Sequence, residues 1–188
     1  MSRIIVDAIR NSSATSDGIT LSSDGKVTFP NTSTGKILQV VQTFKKDSFS
    51  TSSSSPVEIT GLNASIAKTV ASSKILIRVD IGYGRSGRDA TRFILYEDSS
   101  ELTDANGTGG STDNVFIADY NHLQSTTEES YSWYNVSKSV LIDGQNDTSS
   151  HTYKVYGTSN AVSLYINRRS YDYSYALTSA ITLMEVAA

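Results

Sequence analysis

Lys74-Ile-Leu-Ile-Arg-Val-Asp-Ile81 is the clearest strand in the sequence. Ile75, Ile77, Val79 and Ile81 fall on one side of it, and Leu76, Arg78 and Asp80 on the other. Successive side chains leave opposite faces of a strand, so this alternation predicts one face in a core. The pattern recurs at Val162-Ser-Leu-Tyr-Ile-Asn167, where Val162, Leu164 and Ile166 oppose Ser163, Tyr165 and Asn167. Thr152–Thr158 precedes it as another strand-like run. Ser179-Ala-Ile-Thr-Leu-Met-Glu-Val-Ala-Ala188 is apolar or small on both faces, which suits a strand buried from two sides. A chain that closes inside a core strand is expected to unfold when truncated there.

Working outward, Ile37–Phe44, Val57–Thr60 (with Leu62, Ala64 and Ile66 past Gly61), Thr91–Glu97, Val115–Ala118 and the long run Tyr131–Ile142 complete the set. Gly82–Gly87 reads as a turn, Ser48–Ser55 as a loop or edge, and Asp143-Gly144 as a turn signal. Long polar loops are expected at 98–113 and 121–130. About eight body strands at this spacing predict an all-β chain, a β-sandwich of jelly-roll form. Residues 36–188 form that body. Residues 1–35 form an N-terminal arm with a β-hairpin, in which Ile19–Leu21 and Lys26–Phe29 flank Ser22-Ser-Asp-Gly25. Ile4, Ile5, Val6, Ile19, Leu21, Val27 and Phe29 are too few to close a core. They are expected to attach the arm to another protein, the competing account being that the arm completes its own body's sheet.

Composition narrows the function. Serine and threonine make up 52 of the 188 residues, and only 19% are charged. Such polar, weakly charged surfaces suit extracellular and virion β proteins. A net charge of −3 gives no electrostatic reason to expect nucleic acid as a partner. Cysteine is absent, which excludes disulfides, cysteine-ligated zinc and thiol chemistry. No apolar run reaches the about 18 residues of a membrane helix, so no membrane partner is expected. Met1–Asp7 lacks the apolar segment of a signal peptide, which implies synthesis in a host cytoplasm and release by lysis.

Four segments carry a resemblance: Gly18–Phe29, Gly35–Gln42, Ser73–Val79, and Tyr165-Ile-Asn-Arg168 with Ala180–Glu185. Together they resemble a family of small virion structural or tail-fibre-like proteins of tailed phages, especially those of cyanobacteria and other aquatic bacteria. The resemblance implies a virion-surface location, on a tail appendage or the capsid exterior. Where that family carries Asp, Ser and Thr after Asn-Arg, this chain carries Tyr171, Tyr173 and Tyr175.

Those tyrosines are the candidate contact site, with Arg168 and Arg169 at the head of the same loop. Extended backbone would place all three rings on one face. Tyrosine offers a rigid apolar face with a polar tip, suited to sugars or protein partners; the alternative is that the rings fill a subunit interface or cover the sheet edge. Trp133, beside Tyr131 and Tyr134, reads as core or interface. His122 and His151 have no metal-ligand spacing and read as surface or hydrogen-bonding histidines. Glu97-Asp98 and Glu128-Glu129 are carboxylate pairs, but neighbours on a strand face opposite ways, which does not suit glycosidase work. Asp104–Asp113 has glycine at the sixth position of a calcium loop but Val115 where the twelfth needs glutamate. No catalytic, cofactor or metal residues are therefore assigned, and the protein is expected not to be an enzyme. The function expected is a tail-fibre or appendage component aiding host attachment, a homotrimer that meets other virion proteins and a host surface polysaccharide. The alternative is a capsid decoration protein, and a polysaccharide depolymerase ranks last.

Overall fold

Strand pairing sorts the body into two antiparallel sheets. The computed structural model describes residues 8–9, 13, 18–28, 36–110, 114–120 and 126–188. The arm strands are β1 (Ala8–Ile9), β2 (Ile19–Leu21) and β3 (Val27–Thr28). The body strands are β4 (Ile37–Lys45), β5 (Phe49–Thr51), β6 (Val57–Ala67), β7 (Lys74–Arg85), β8 (Ala90–Glu97), β9 (Ser100–Glu101), β10 (Ile117–Tyr120), β11 (Tyr134–Ile142), β12 (Ser150–Ser159), β13 (Leu164–Ile166) and β14 (Ser179–Val186). A six-residue helix, α1 (Thr126–Tyr131), precedes β11.

One sheet runs β4-β14-β7-β11, with β13 continuing along β7 and carrying β5 at its edge. The other runs β10-β8-β12-β6. Of the eight main strands, the first pairs with the last (β4 with β14), then β6 with β12, β7 with β11, and β8 with β10. This nested hairpin, wrapped over two sheets, is a jelly roll. The all-β sandwich expected from the alternation is what the chain forms.

Ile75, Ile77, Val79, Ile81 and Tyr83 of β7 are buried against Phe93 and Leu95 of β8 and Val155 of β12. Each aliphatic side chain buried in this way contributes about 2 kcal/mol. In β6 the buried positions switch phase, from Ile59 to Leu62, Ala64 and Ile66. Gly61, at φ +82°, takes up the change, and the register on β12 shifts between Lys154 and Tyr156. A left-handed residue there lets both halves of one strand bury their apolar side chains.

The interior also holds an anion. Glu185 of β14 is fully buried and accepts hydrogen bonds from Gln39 Nε2 (2.7 Å), the Thr69 amide (2.8 Å), the Val70 amide (3.1 Å), Ser73 Oγ (2.6 Å) and Thr69 Oγ1 (3.0 Å). The Lys68 ammonium on the same loop donates to the carbonyls of Ala71, Ser73 and Asp143. One carboxylate thus takes the loop's donors and one ammonium its acceptors, so the polar backbone between β6 and β7 stays satisfied out of water.

Several boundaries differ from the sequence reading. Gly82–Arg85 is not a turn: β7 runs through it, because β11 and β13 supply partners on both sides. β10 begins at Ile117, later than Val115, and Phe116 is buried just before it. α1 takes up 126–130 of the segment expected as a polar loop, together with Tyr131, and β11 begins at Tyr134. The serine-rich segment contributes the edge strand β5. In the arm, β1, β2 and β3 form a sheet of their own, and among the described residues they pair with no body strand. Gly25, at φ +82°, closes the hairpin as the Asp-Gly signal predicts. Ile9, Leu21 and Val27 stay exposed on this small sheet. Ile4, Ile5, Val6 and Phe29 lie outside the described residues.

Candidate functional site

The loop that leaves β13 begins at Asn167, which takes a left-handed backbone (φ +62°), a conformation asparagine tolerates better than most residues. Its buried side chain donates from Nδ2 to the carbonyls of Lys45 (2.8 Å) and Asp47 (3.0 Å) and accepts from Ser179 Oγ (2.7 Å). Its amide donates to the Gly82 carbonyl, and its own carbonyl accepts from the Leu177 amide. Both ends of the loop are therefore pinned to one residue.

Strand β7 provides the seat. A Cβ on Gly84 would stand 2.7 Å from the Arg168 carbonyl oxygen and 2.8 Å from Arg169 Cα; one on Gly82 would stand 2.8 Å from Leu177 Cβ. Only glycine lets the loop lie this close to the sheet. Replacing Gly84 with valine is expected to lift the loop and cost about 1–3 kcal/mol. Trp133, the only tryptophan, lies 5.2 Å from the Tyr175 ring, so its emission should shift when the loop lifts. An unchanged spectrum in G84V would contradict this seating.

Within the loop Arg169 grips Asp172 with two bonds, Nε to Oδ1 at 2.7 Å and Nη2 to Oδ2 at 2.8 Å. Asp172 also accepts from the Ser174 amide and hydroxyl. The Arg169 guanidinium, with Ser174 assisting, holds the Asp172 carboxyl well below the usual carboxylate range. Arg169 lies 4.8 Å from the Tyr175 ring and 5.4 Å from Tyr131, and Tyr131 packs on Tyr171 at 4.1 Å. Arg168 lies over Tyr165 at 4.1 Å and Tyr173 at 4.0 Å.

The segment is folded rather than extended, so the three tyrosines do not share a strand face. They gather round the two arginines instead. Tyr171, Tyr173 and Tyr175 are 59%, 74% and 53% exposed, too open to be core. Trp133, read as core or interface, is likewise exposed and belongs to this patch. Tyr131, read together with Trp133 as core or interface, also belongs to it, as does Tyr165, which the sequence does not single out. Tyr165 sits on the polar phase of β13, but Tyr131 and Trp133 arrive from about 40 residues away, a juxtaposition only topology reveals. The result is a solvent-facing aromatic platform, stiffened by stacked guanidinium groups.

A cleft of about 620 Å³ lies elsewhere, between the β8–β9 turn and the segment joining β11 to β12. Two carboxylates of its lining, Glu97 and Asp98, are engaged in structural bonds. Glu97 accepts from the Tyr153 hydroxyl (2.8 Å), and burial first, then Glu97, pushes the Tyr153 phenol up. Asp98 accepts from the Thr152 amide and pairs with His151 Nδ1 at 2.8 Å, while Asp147 meets His151 Nε2 at 3.0 Å. Among the described residues no His, Asp and Glu group could hold a metal ion. His122 and residues 111–113 of the glycine-rich loop lie outside those described.

His151 is thus the hydrogen-bonding histidine expected, and Asp98 first, then Asp147, raise its pKa above 6.5. A raised folded value means its stabilisation is complete below pH 6.5 and fades as pH climbs through the folded pKa. Proton NMR should give His151 a titration midpoint above 6.5; a midpoint at or below that value would refute the pairing.

No family model matches the chain, and no curated protein matches it. Among solved structures, T=1 particles derived from infectious bursal virus contain a chain 13% identical, at TM-score 0.42, with 97% of this chain and 41% of that chain covered. The Gx and Gt strains of infectious bursal disease virus match at 14% identity and TM-score 0.38, over 90% and 97% of this chain and 41% and 43% of theirs. The chain spans less than half the length of these solved chains. The jelly-roll assignment rests on strand pairing.

Proposed function

We propose that the protein is a virion structural protein, a tail-fibre or appendage component of a tailed phage that aids attachment to a host surface polysaccharide. The observation that carries this is the exposed patch of Tyr171, Tyr173, Tyr175, Tyr131 and Trp133, held on a glycine seat at the outer face of a jelly roll. Rigid aromatic rings turned to solvent suit the apolar faces of sugar rings, and fixing the loop beforehand lowers the entropic cost of binding. The arm fits attachment: its described strands form a sheet separate from the body, with Ile9, Leu21 and Val27 exposed on it. The resemblance to tail-fibre-like phage proteins points the same way. In this reading the protein is not an enzyme, since Glu97 and Asp98 are spent on structural bonds.

A second observation favours self-association, with a homotrimer preferred, and keeps the capsid decoration role as the runner-up. On the outer face of the β4-β14-β7-β11 sheet, Val40, Met184, Leu76 and Leu141 stand side by side across all four strands. Val40, Leu141 and nearby Phe44 are exposed. Burying such a row between copies or on a shell would stabilise the assembly.

The test is to delete residues 2–34, follow thermal stability and virion incorporation, and locate the native protein on particles by electron microscopy. The expected outcome is a body that folds but no longer joins the particle, with the native protein on the tail. Unfolding of the deletion would make the arm part of the core; a deleted protein that still joins would refute attachment through the arm. Labelling over the capsid would favour decoration instead.

A further inference from the structure

Resting on the glycan-contact reading above, we infer that the patch takes an acidic saccharide, a pyranose bearing a carboxylate, and that Arg168 holds its charge. The two arginines at the head of the loop are in different states. Arg169 is committed: its fork is closed on Asp172, so the pair presents no net charge. Among the described residues Arg168 makes no ion pair. Its Nη1 donates to the carbonyls of Arg169 (3.2 Å) and Ser170 (3.5 Å), and its Nε and Nη2 have no hydrogen-bond partner among the described residues.

The surroundings of Arg168 favour an anion. It lies over the rings of Tyr165 and Tyr173 and is partly buried, so its flat faces meet aromatic carbon rather than water. The unspent donors lie in the guanidinium plane, the direction in which this group grips a carboxylate. Tyr173, the most exposed of the rings, stands directly beside it. A single ligand with a carboxylate on a ring therefore meets both elements at once, charge on Arg168 and C–H face on Tyr173. Stacking rings with an arginine also suit single-stranded nucleic acid. That ligand wants a basic groove along its backbone, however, and of the two arginines described in this patch only Arg168 is not closed on a carboxylate, on a chain of net charge −3. One charge beside one platform reads a single acidic sugar rather than a run of phosphates.

The test uses the full-length protein with alginate and polygalacturonate, their carboxyl-reduced counterparts, and a single-stranded DNA oligonucleotide, all by biolayer interferometry. The acidic polymers should bind, with the reduced forms about tenfold weaker, as loss of a charge-assisted pair implies. R168Q should bring acidic binding down to the reduced level while binding of the reduced polymers holds. R168K, which keeps the charge without the fork, should fall between and guards against R168Q failing to fold. Equal binding of acidic and reduced polymers overturns the inference and leaves the glycan-contact reading standing. Binding of no polysaccharide overturns both. DNA bound more tightly than alginate, or R168Q bound like the native protein, also overturns the inference.

Discussion

Replacing Glu185 with alanine is expected to destabilise the protein by about 3–5 kcal/mol, which lowers its Tm by roughly 10 °C. The carboxylate is fully buried and serves the amides of Thr69 and Val70, the hydroxyls of Thr69 and Ser73, and the amide of Gln39. Truncation removes the charge that answers those donors and leaves a cavity beside β14. Protonation should reproduce part of the effect. Burial by itself raises the Glu185 pKa, but the bonds from Ser73, Thr69, Gln39 and Val70 outweigh it and hold the group at about 2, against 4.5 unperturbed. The folded value is depressed, so the stabilisation is whole above pH 4.5 and is lost as pH falls toward about 2. Its size is on the order of 3 kcal/mol. Other depressed carboxyls titrate in the same window, so the measurement is the stability difference between native protein and E185Q. By urea titration that difference should be large at neutral pH and shrink steadily below pH 4.5. A difference that does not change with pH would refute the ionised state of Glu185.

Asn167→Ala is expected to cost about 3–4 kcal/mol, in two separable parts. The buried side chain closes three bonds, to the carbonyls of Lys45 and Asp47 and from the hydroxyl of Ser179. Their loss makes up most of the cost. The left-handed backbone accounts for about 1 kcal/mol, since alanine meets a steric penalty there that glycine escapes. Asn167→Gly should therefore be more stable than Asn167→Ala by about that amount, while both lose the bonds. Because Asn167 pins both ends of the tyrosine loop, each variant should also change Trp133 emission and weaken the polysaccharide binding proposed above. Equal stability of the two variants would contradict the backbone part; an unshifted emission would contradict the pinning.

Much of the sandwich was legible because burial on one face writes a period of two, as Ile75–Ile81 and Val162–Ile166 show. It was illegible where a second influence entered. Gly82 and Gly84 read as turn residues, yet they lie within β7, because their missing side chains make room for a loop from elsewhere in the chain. Val115–Ala118 misplaced a strand because Phe116 is buried from irregular backbone and mimics a strand position. Tyrosine density picked out Tyr171, Tyr173 and Tyr175. The partners that make them a platform, Tyr131 and Trp133, come from the far side of β12. The roles of Glu185 and Asn167 left no local signal, since each acts on residues more than 100 positions away.

Nested pairing also orders events in time. The innermost pair, β8 with β10, closes only the segment between Glu97 and Ile117, whereas β4 with β14 joins Ile37 to Val186. Each doubling of loop length adds only about 0.6 kcal/mol of closure entropy, so equilibrium stability hardly registers the difference. Rates do: chains dominated by distant pairings fold on the order of milliseconds to seconds. Until β14 arrives, the slot between β4 and β7 stands open with unpaired amides and carbonyls on both walls. In a concentrated solution the β14 of a second molecule fits that slot as well as the chain's own. Refolding at high concentration should therefore yield strand-exchanged dimers that dilution separates slowly, a kinetic hazard set by the last rung of the ladder rather than by its strength.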